Sequence, residues 1–310
     1  MSVSRSALGT KQGFILKLLT ATIIAASFIW FVFAHYDLQS LQTLLGQLGL
    51  ISLATVILLQ LLSYILRAWR FYVVLRPLSP TLSFLGILRV TLIHNALNNI
   101  IPMRLGELTF PALMSRHYKM PIVTSASALV LVRLLDLALM GGLLVGVLFL
   151  LGIDTLDQIN TGSLIKWTLI AATIGVAIVL LFFRQILKRV LLKLKAGLHY
   201  ILPKMPLLLG ISTFVWVSKV LSYLIIIQIA LDSTYLQALV AVLATEATAI
   251  LPINGIANFG TLEASIWVAL RPFALDNATV FNAAVNLHFF ILSMACTCGL
   301  LAYLKKPRIN

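Results

Sequence analysis

The reading of this chain turns on ten residues, Asn98-Asn99-Ile100-Ile101-Pro102-Met103-Arg104-Leu105-Gly106-Glu107. They close an apolar window at 82–101 that also carries Arg89 and His94. Pro102 removes a backbone donor and disfavours helix at Ile101. Gly106 permits a tight return, and Asn98 and Asn99 can cap or bond the freed backbone groups. Broken backbone at membrane depth is tolerated only where protein or a wet cavity satisfies it. The stretch therefore predicts a helix that enters a membrane, breaks and turns back.

That a membrane is the solvent follows from composition. Of 310 residues, 61% are apolar and only 10% charged, against about 25% charged in an ordinary soluble domain. Mean hydropathy is +1.04. A soluble fold of this size cannot cover so much apolar surface, so a soluble enzyme is excluded. The net charge of +14 points to basic loops over anionic lipid. A nucleic-acid partner would need a basic soluble module, and no stretch is long enough. Cys296 and Cys298 lie on different faces of one helix, and neither a disulfide framework nor a metal site is expected. No cleavable signal is evident before the first apolar run.

Apolar windows fall at 14–34, 48–66, 82–101, 122–151, 164–183, 207–231, 236–251, 262–270 and 279–304. Lys and Arg cluster before the first window, after the second, at Arg104 to Lys119, at 184–204 and at the C-terminus, whereas 35–47 and 152–163 have none. If 82–101 crossed fully, the six-charge loop after Phe183 would lie outside, against the charge bias. The charges agree when 82–119 dips in from the cytoplasm and 236–270 from the other side. The expected fold is an all-α polytopic membrane protein with six full spans, two re-entrant helical hairpins and both termini cytoplasmic. Its halves, 1–151 and 164–304, then form an inverted-topology repeat. Short, Pro/Gly-interrupted segments at matching places in two halves point to a midplane binding site, with Pro102 and Pro252 as the matching breaks.

The second break runs from Glu246 through Pro252, Asn254, Gly255, Asn258 and Gly260 to Glu263. The chain has three glutamates, Glu107, Glu246 and Glu263, and each flanks a break. A carboxylate in a low-dielectric site can carry a proton, so Glu107 and Glu263 read as paired proton or substrate sites. They read equally as caps at helix N-termini. Arg104 and Glu107 are three apart, on one face of a helical turn, either as part of a polar pocket for a headgroup or ion or as a local ion pair. Arg133 stands roughly 16 Å into its helix, and it and Asp136, three residues on, can satisfy each other. Lys219 has no acidic residue at helical spacing, so its partner comes from another helix, with Glu246 or Glu263 as candidates, or from a bound phosphate. Arg67, Trp69 and Arg70 read as interfacial anchors. So do Arg184, Lys188, Arg189 and Lys193 in the amphipathic segment 184–204. His94 and His288 have no partner at ligand spacing, and no metal is expected.

The pattern Asn-x3-Pro-x-Arg-x-Gly-Glu, here Asn98, Pro102, Arg104, Gly106 and Glu107, resembles the lysylphosphatidylglycerol synthase transmembrane family, also called flippase-like or UPF0104 proteins. Arg67-Ala68-Trp69-Arg70 is similar to that family's Arg-x-x-Arg signature, and Pro252-x2-Gly255-x4-Gly260-x2-Glu263 to its second motif, from which Asn254, Ile256 and Asn258 depart. The resemblance covers nearly the whole chain. It implies lipid translocation, and a stand-alone member that lacks the cytosolic aminoacyl-transferase domain and is no synthase.

Three functions remain open on this reading. One is a flippase-like transporter of a phospholipid or lipid-linked envelope precursor in the bacterial cytoplasmic membrane. A second is a non-catalytic partner of an envelope lipid- or glycan-modifying enzyme. The third is a membrane-embedded enzyme, which the missing nucleophile and carboxylate-rich motifs make the weakest. Gly9-Thr10-Lys11 does not complete a nucleotide-binding loop, and no cofactor is expected.

Overall fold

A computed structural model describes residues 30, 34, 36–79, 81–151, 201–248 and 255–305, with backbone alone at 103–104, 141–142, 144–151 and 202. The described residues are overwhelmingly helical and include no strand. Eight α-helices carry the argument: α1 (Leu38–Leu75), α2 (Phe84–Ile100), α3 (Thr109–Tyr118), α4 (Ile122–Leu151), α5 (Met205–Leu231), α6 (Tyr235–Thr248), α7 (Thr261–Leu270) and α8 (Asn277–Leu304). Four described segments, Leu38–Leu78, Ile122–Met140, Met205–Leu231 and Asn277–Leu304, are long and apolar enough to cross a bilayer. The protein is an all-α membrane protein. The expected spans at 14–34 and 164–183 lie outside the described residues, apart from helical Trp30 and Ala34.

Helix α1 differs most from expectation. It was expected over 48–66, yet it begins at Leu38, where Asp37 accepts a hydrogen bond from the Gln39 amide at 2.9 Å, and it continues to Leu75. Gly49, at φ 61°, kinks it. Along its second half the exposed side chains Leu58, Leu62, Ile65 and Trp69 recur at helical spacing, which makes them a lipid-facing stripe. The buried stripe opposite holds Gln60, Ser63, Tyr64 and Arg70. The polar face is inward, the reverse of a soluble amphipathic helix.

Helices α2 and α3, and likewise α6 and α7, are short helices on either side of a break. With 17, 10, 14 and 10 residues, they rise about 25, 15, 21 and 15 Å, less than the roughly 30 Å of a hydrocarbon core. Helix α2 is capped by Ser83, which accepts from the Gly86 amide at 3.2 Å. It ends where Ile101 is extended ahead of Pro102, and a 3₁₀ turn, Pro102–Leu108, leads into α3. Gly106 lies against the backbone of Leu97 and Asn98, so the returning chain rests directly on the last turn of α2.

The helices bury two apolar clusters. One joins the second half of α1 with α2, α3, α4 and Leu208. The other joins the first half of α1 with α5, α6, α7 and α8. Helix α8 packs closely on α2 because Gly299 meets Ala96, a small-residue contact suited to helix packing in lipid. Arg89 of α2 donates to the Ala302 and Tyr303 carbonyls at 2.8 and 3.3 Å and so satisfies the C-terminus of α8. At the other end of α8, Asp276 accepts from the Thr279 amide and hydroxyl. These bonds hold its carboxyl below the usual carboxylate range.

A Cβ at Gly106 would collide with backbone, whereas one at Gly46 meets open space. Gly106→Ala therefore costs about 1–3 kcal/mol, and Gly46→Ala is neutral or stabilising. Thermal unfolding of the two purified variants, compared with wild type in one detergent, checks this difference.

Candidate functional site

The polar faces of α1, α4, α5 and α6 meet in one ionic network, which the first break enters through Glu107. Arg70 Nη1 donates to Asp136 Oδ1 at 2.6 Å and to Ser212 Oγ at 2.9 Å, and its Nη2 donates to Asp136 Oδ2 at 3.2 Å. This is a bidentate guanidinium–carboxylate pair between α1 and α4, the geometry in which such pairs are strongest. Trp216 of α5 adds an indole donor to Asp136 Oδ1 at 3.0 Å. Arg133, one helical turn before Asp136, lies 3.6 Å from it. Its Nη2 is 2.5 Å from Glu107 Oε1. The chain thus runs Glu107, Arg133, Asp136, Arg70 across three segments far apart in sequence.

A second ion pair adjoins it. Lys219 Nζ is 2.5 Å from Glu246 Oε1, joining α5 to α6. Lys219 also lies over the rings of Trp216 and Tyr223, at 5.1 and 5.4 Å, within cation–π range. Trp216 therefore touches both pairs, with its indole N–H on Asp136 and its face on Lys219.

The second break has its own polar centre. Glu263 Oε2 accepts from the Gly260 amide at 2.9 Å, which caps α7. Its Oε1 is 2.6 Å from His288 Nδ1. His288 Nε2 is 2.7 Å from the Ala257 carbonyl. A carbonyl can only accept, so Nε2 carries a proton and a second proton is shared between Nδ1 and the carboxyl. Ala257 and Asn258 have φ of 53° and 61°, a left-handed turn that asparagine tolerates and alanine adopts rarely. The turns Pro102–Leu108 and Ile256–Asn258 pack on each other, and the latter also touches α2. The two breaks are neighbours in space.

The residues singled out in the sequence can now be placed. Glu107, Arg133, Asp136, Lys219 and Glu246 come together. Arg133 and Asp136 are not a self-contained pair, because each makes its shorter contact with Glu107 or Arg70. Lys219 takes Glu246 and leaves Glu263 to His288. Glu107 and Glu263 are not bonded to each other; each pairs with its own basic side chain. Asn99 donates to the Asn95 carbonyl at 2.9 Å, one turn back along its own helix, and so caps none of the free carbonyls at the break. The Asn98 side-chain oxygen is buried without a hydrogen bond among the described residues. Asn258 acts through its backbone, whose carbonyl accepts from Thr261 Oγ1. Asn254, Arg184, Lys188, Arg189 and Lys193 lie outside the described residues, as does the side chain of Arg104.

Two anchors are corrected. Arg70 is 1% exposed and ion-paired, and Arg67 is half-buried and donates to Asn95 Oδ1 at 3.1 Å. Because α1 runs on to Leu75, both lie within the helix rather than beyond its end. Trp69, between them, is exposed among the lipid-facing residues. Ser212 and Trp216 escaped the sequence reading, and His288 was noted there only as lacking a partner at ligand spacing. The 212, 216, 219 spacing along α5 is a helical face that could have flagged the first two, whereas nothing local links His288 to Glu263 across 25 positions.

Among the described residues no group of three or more His, Cys, Asp or Glu is placed to hold a metal ion. The sequence model described as the lysylphosphatidylglycerol synthase TM region matches residues 15–299. The chain belongs to that family. None of the curated proteins and none of the solved structures compared with it matches. The matched region of this lysylphosphatidylglycerol synthase TM family member takes in both breaks and every charge of the network. The family is a membrane domain linked to lipid handling, and the chain is a multi-pass membrane protein.

Removing one partner of a buried ion pair strands the other, at about 3–5 kcal/mol. Arg70→Met and Asp136→Leu are each expected to lower thermal stability strongly, and the double variant to recover most of the loss. A double-mutant cycle in detergent measures this coupling; additive losses would mean that the two groups act independently.

Proposed function

We propose that this protein moves a phospholipid or a lipid-linked envelope precursor between leaflets, past a polar site assembled where its two broken helices meet. The two helix pairs act as re-entrant hairpins entering from opposite leaflets. The protein resides in the bacterial cytoplasmic membrane with both termini on the cytoplasmic side, and it works as a transporter without catalytic chemistry. Its partners are the anionic bilayer and the lipid it carries.

One observation carries this reading: seven charged side chains, Arg67, Arg70, Glu107, Arg133, Asp136, Lys219 and Glu246, converge among helices whose outer faces are apolar. Each charge costs at least about 2.5–3.5 kcal/mol to place at mid-membrane on insertion scales. Such groups mark substrate or ion pathways when they face a bundle interior. A headgroup crossing the bilayer needs that kind of surface, because hydrocarbon supplies no partner for it. The two breaks pack on each other, and the first places irregular backbone beside this network through Glu107, the arrangement found around midplane sites in transporters.

In vesicles carrying headgroup-labelled phospholipid, the wild-type protein is expected to raise the rate at which label becomes accessible from the opposite side. Glu107→Gln and Glu246→Gln, which strand Arg133 and Lys219, are each expected to slow that movement about tenfold. Wild-type rates in both variants would remove the network from the pathway. A wild-type protein that moves no lipid and instead co-purifies in fixed ratio with an envelope lipid- or glycan-modifying enzyme would replace transport with the partner role.

A further inference from the structure

Each break carries on its return a glutamate that pairs with a base on the next long helix, at nearly the same separation along the chain. Glu107 meets Arg133, 26 positions on, and Glu263 meets His288, 25 positions on. The two bases differ in one property. A guanidinium keeps its proton at any pH a cell meets, whereas an imidazole gains and loses one near neutrality. Of the two pairs, only the second can take up and release a proton at its base. Glu263 and His288 are 3% and 1% exposed. Phe259, from the turn of the second break, lies on the imidazole with ring centroids 4.5 Å apart.

The ring is held at both nitrogens, by Glu263 Oε1 at Nδ1 and by the Ala257 carbonyl at Nε2, at 2.6 and 2.7 Å. Filling both contacts takes two protons, one on Nε2 and one between Nδ1 and the carboxyl. When the second proton leaves, a single ring proton faces two acceptors. The ionised carboxylate is the stronger of them, so that proton moves to Nδ1. The Nε2 lone pair is then left against the Ala257 carbonyl, and the contact is lost. That carbonyl belongs to the left-handed turn at Ala257 and Asn258, a conformation that alanine adopts rarely. The same turn packs on Pro102–Leu108 and on α2. One proton therefore decides whether α8 grips the turn that joins the second break to the first.

We propose that Glu263 and His288 together form a binding site for one exchangeable proton, which clamps the second break on the first when bound and releases it when lost. The proton comes from water and resides between Nδ1 and Oε1. Residues 255–261, which cover the pair, are half-buried apart from nothing deeper than the turn itself, so the proton exchanges when that turn opens. The site rests on the transport reading only for its use, as the place where a coupling proton would act. The other charged and titratable groups on the elements packed against this part of α8 have partners of their own. Before and along α1, Tyr36 donates to Asn286, Asp37 caps the helix, Tyr64 lies against Gln60 and Arg67 donates to Asn95. On α2, Arg89 holds the end of α8 and His94 is bonded to Thr109. On α5, Lys219 takes Glu246 and Tyr223 lies against Gln60. On the first break, Glu107 takes Arg133, and the Arg104 side chain is outside the described residues.

The test is a pH titration of the full-length protein in lipid nanodiscs, from about pH 5 to pH 9. Nitrogen NMR of the protein labelled at its five histidines reads which ring nitrogens carry protons, and His288→Gln identifies the signals of His288. Amide hydrogen exchange over 255–261, corrected for the intrinsic effect of pH, reads the turn. In wild type His288 is expected to pass from protons at both ring contacts to a proton on Nδ1 alone as pH rises, and protection of 255–261 to fall roughly tenfold with it. Glu263→Gln makes a sharper prediction. The glutamine oxygen can still accept from the Gly260 amide while its NH₂ donates to Nδ1, so one ring proton on Nε2 fills both contacts. In that variant His288 should stay neutral with its proton on Nε2, and 255–261 should stay protected at every pH. A His288 ring that keeps one protonation state through the range in wild type overturns the proposal, as does protection that follows pH equally in wild type and Glu263→Gln. The two readings fail separately. Lipid movement by a protein whose His288 does not titrate removes the proton site alone, while a titrating, pH-clamped turn in a protein that moves no lipid removes transport alone.

Discussion

A carboxylate and a guanidinium cannot stay charged in hydrocarbon unless they find each other, and the Arg70–Asp136 pair is where this protein meets that constraint. The pair ties α1 to α4, and Ser212 and Trp216 tie the same two groups to α5. The rest of the ionic network is arranged around it: Arg133 reaches from Asp136 to the first break, and Lys219 reaches from Trp216 to the arm leading into the second. The network connects parts of the chain that the two apolar clusters hold separately.

The same constraint explains the breaks. A helix interrupted at membrane depth leaves backbone groups without partners, and here side chains and neighbouring turns supply them. Glu263 caps α7, and His288 covers the Ala257 carbonyl. Gly106 lets the first return lie flat on α2, and the left-handed pair Ala257–Asn258 shapes the second.

Much of this was legible in the sequence, for identifiable reasons. Apolar run length placed α4 at its observed bounds and α5, α6, α7 and α8 to within a few residues, because a bilayer demands near-continuous apolar segments. The proline at 102 located the first break by removing a donor. The scarcity of acids near it left Lys219 to a carboxylate of another helix, Glu246 or Glu263, or to a bound phosphate. Scarcity could not choose between them, and only the fold shows Glu263 taken by His288. The reading of Arg67 and Arg70 as anchors failed because it counted charges after an apolar window. Their spacing with Gln60 and Ser63, an inward polar stripe on one long helix, was the better signal. The pairing of Glu107 with Arg133 joins residues 26 apart, and no local periodicity encodes it.

The contact between the two breaks is the claim on which the account rests, and it can be measured in native membranes. With Cys296 and Cys298 replaced by serine, single cysteines placed through 102–108 and 256–258 are oxidised pairwise, alongside a control pair of cysteines across the α2–α8 contact. The account predicts disulfides between the two turns as readily as in the control, and lipid movement that stops on oxidation and returns on reduction. A control that cross-links while no pair between the turns does would contradict it.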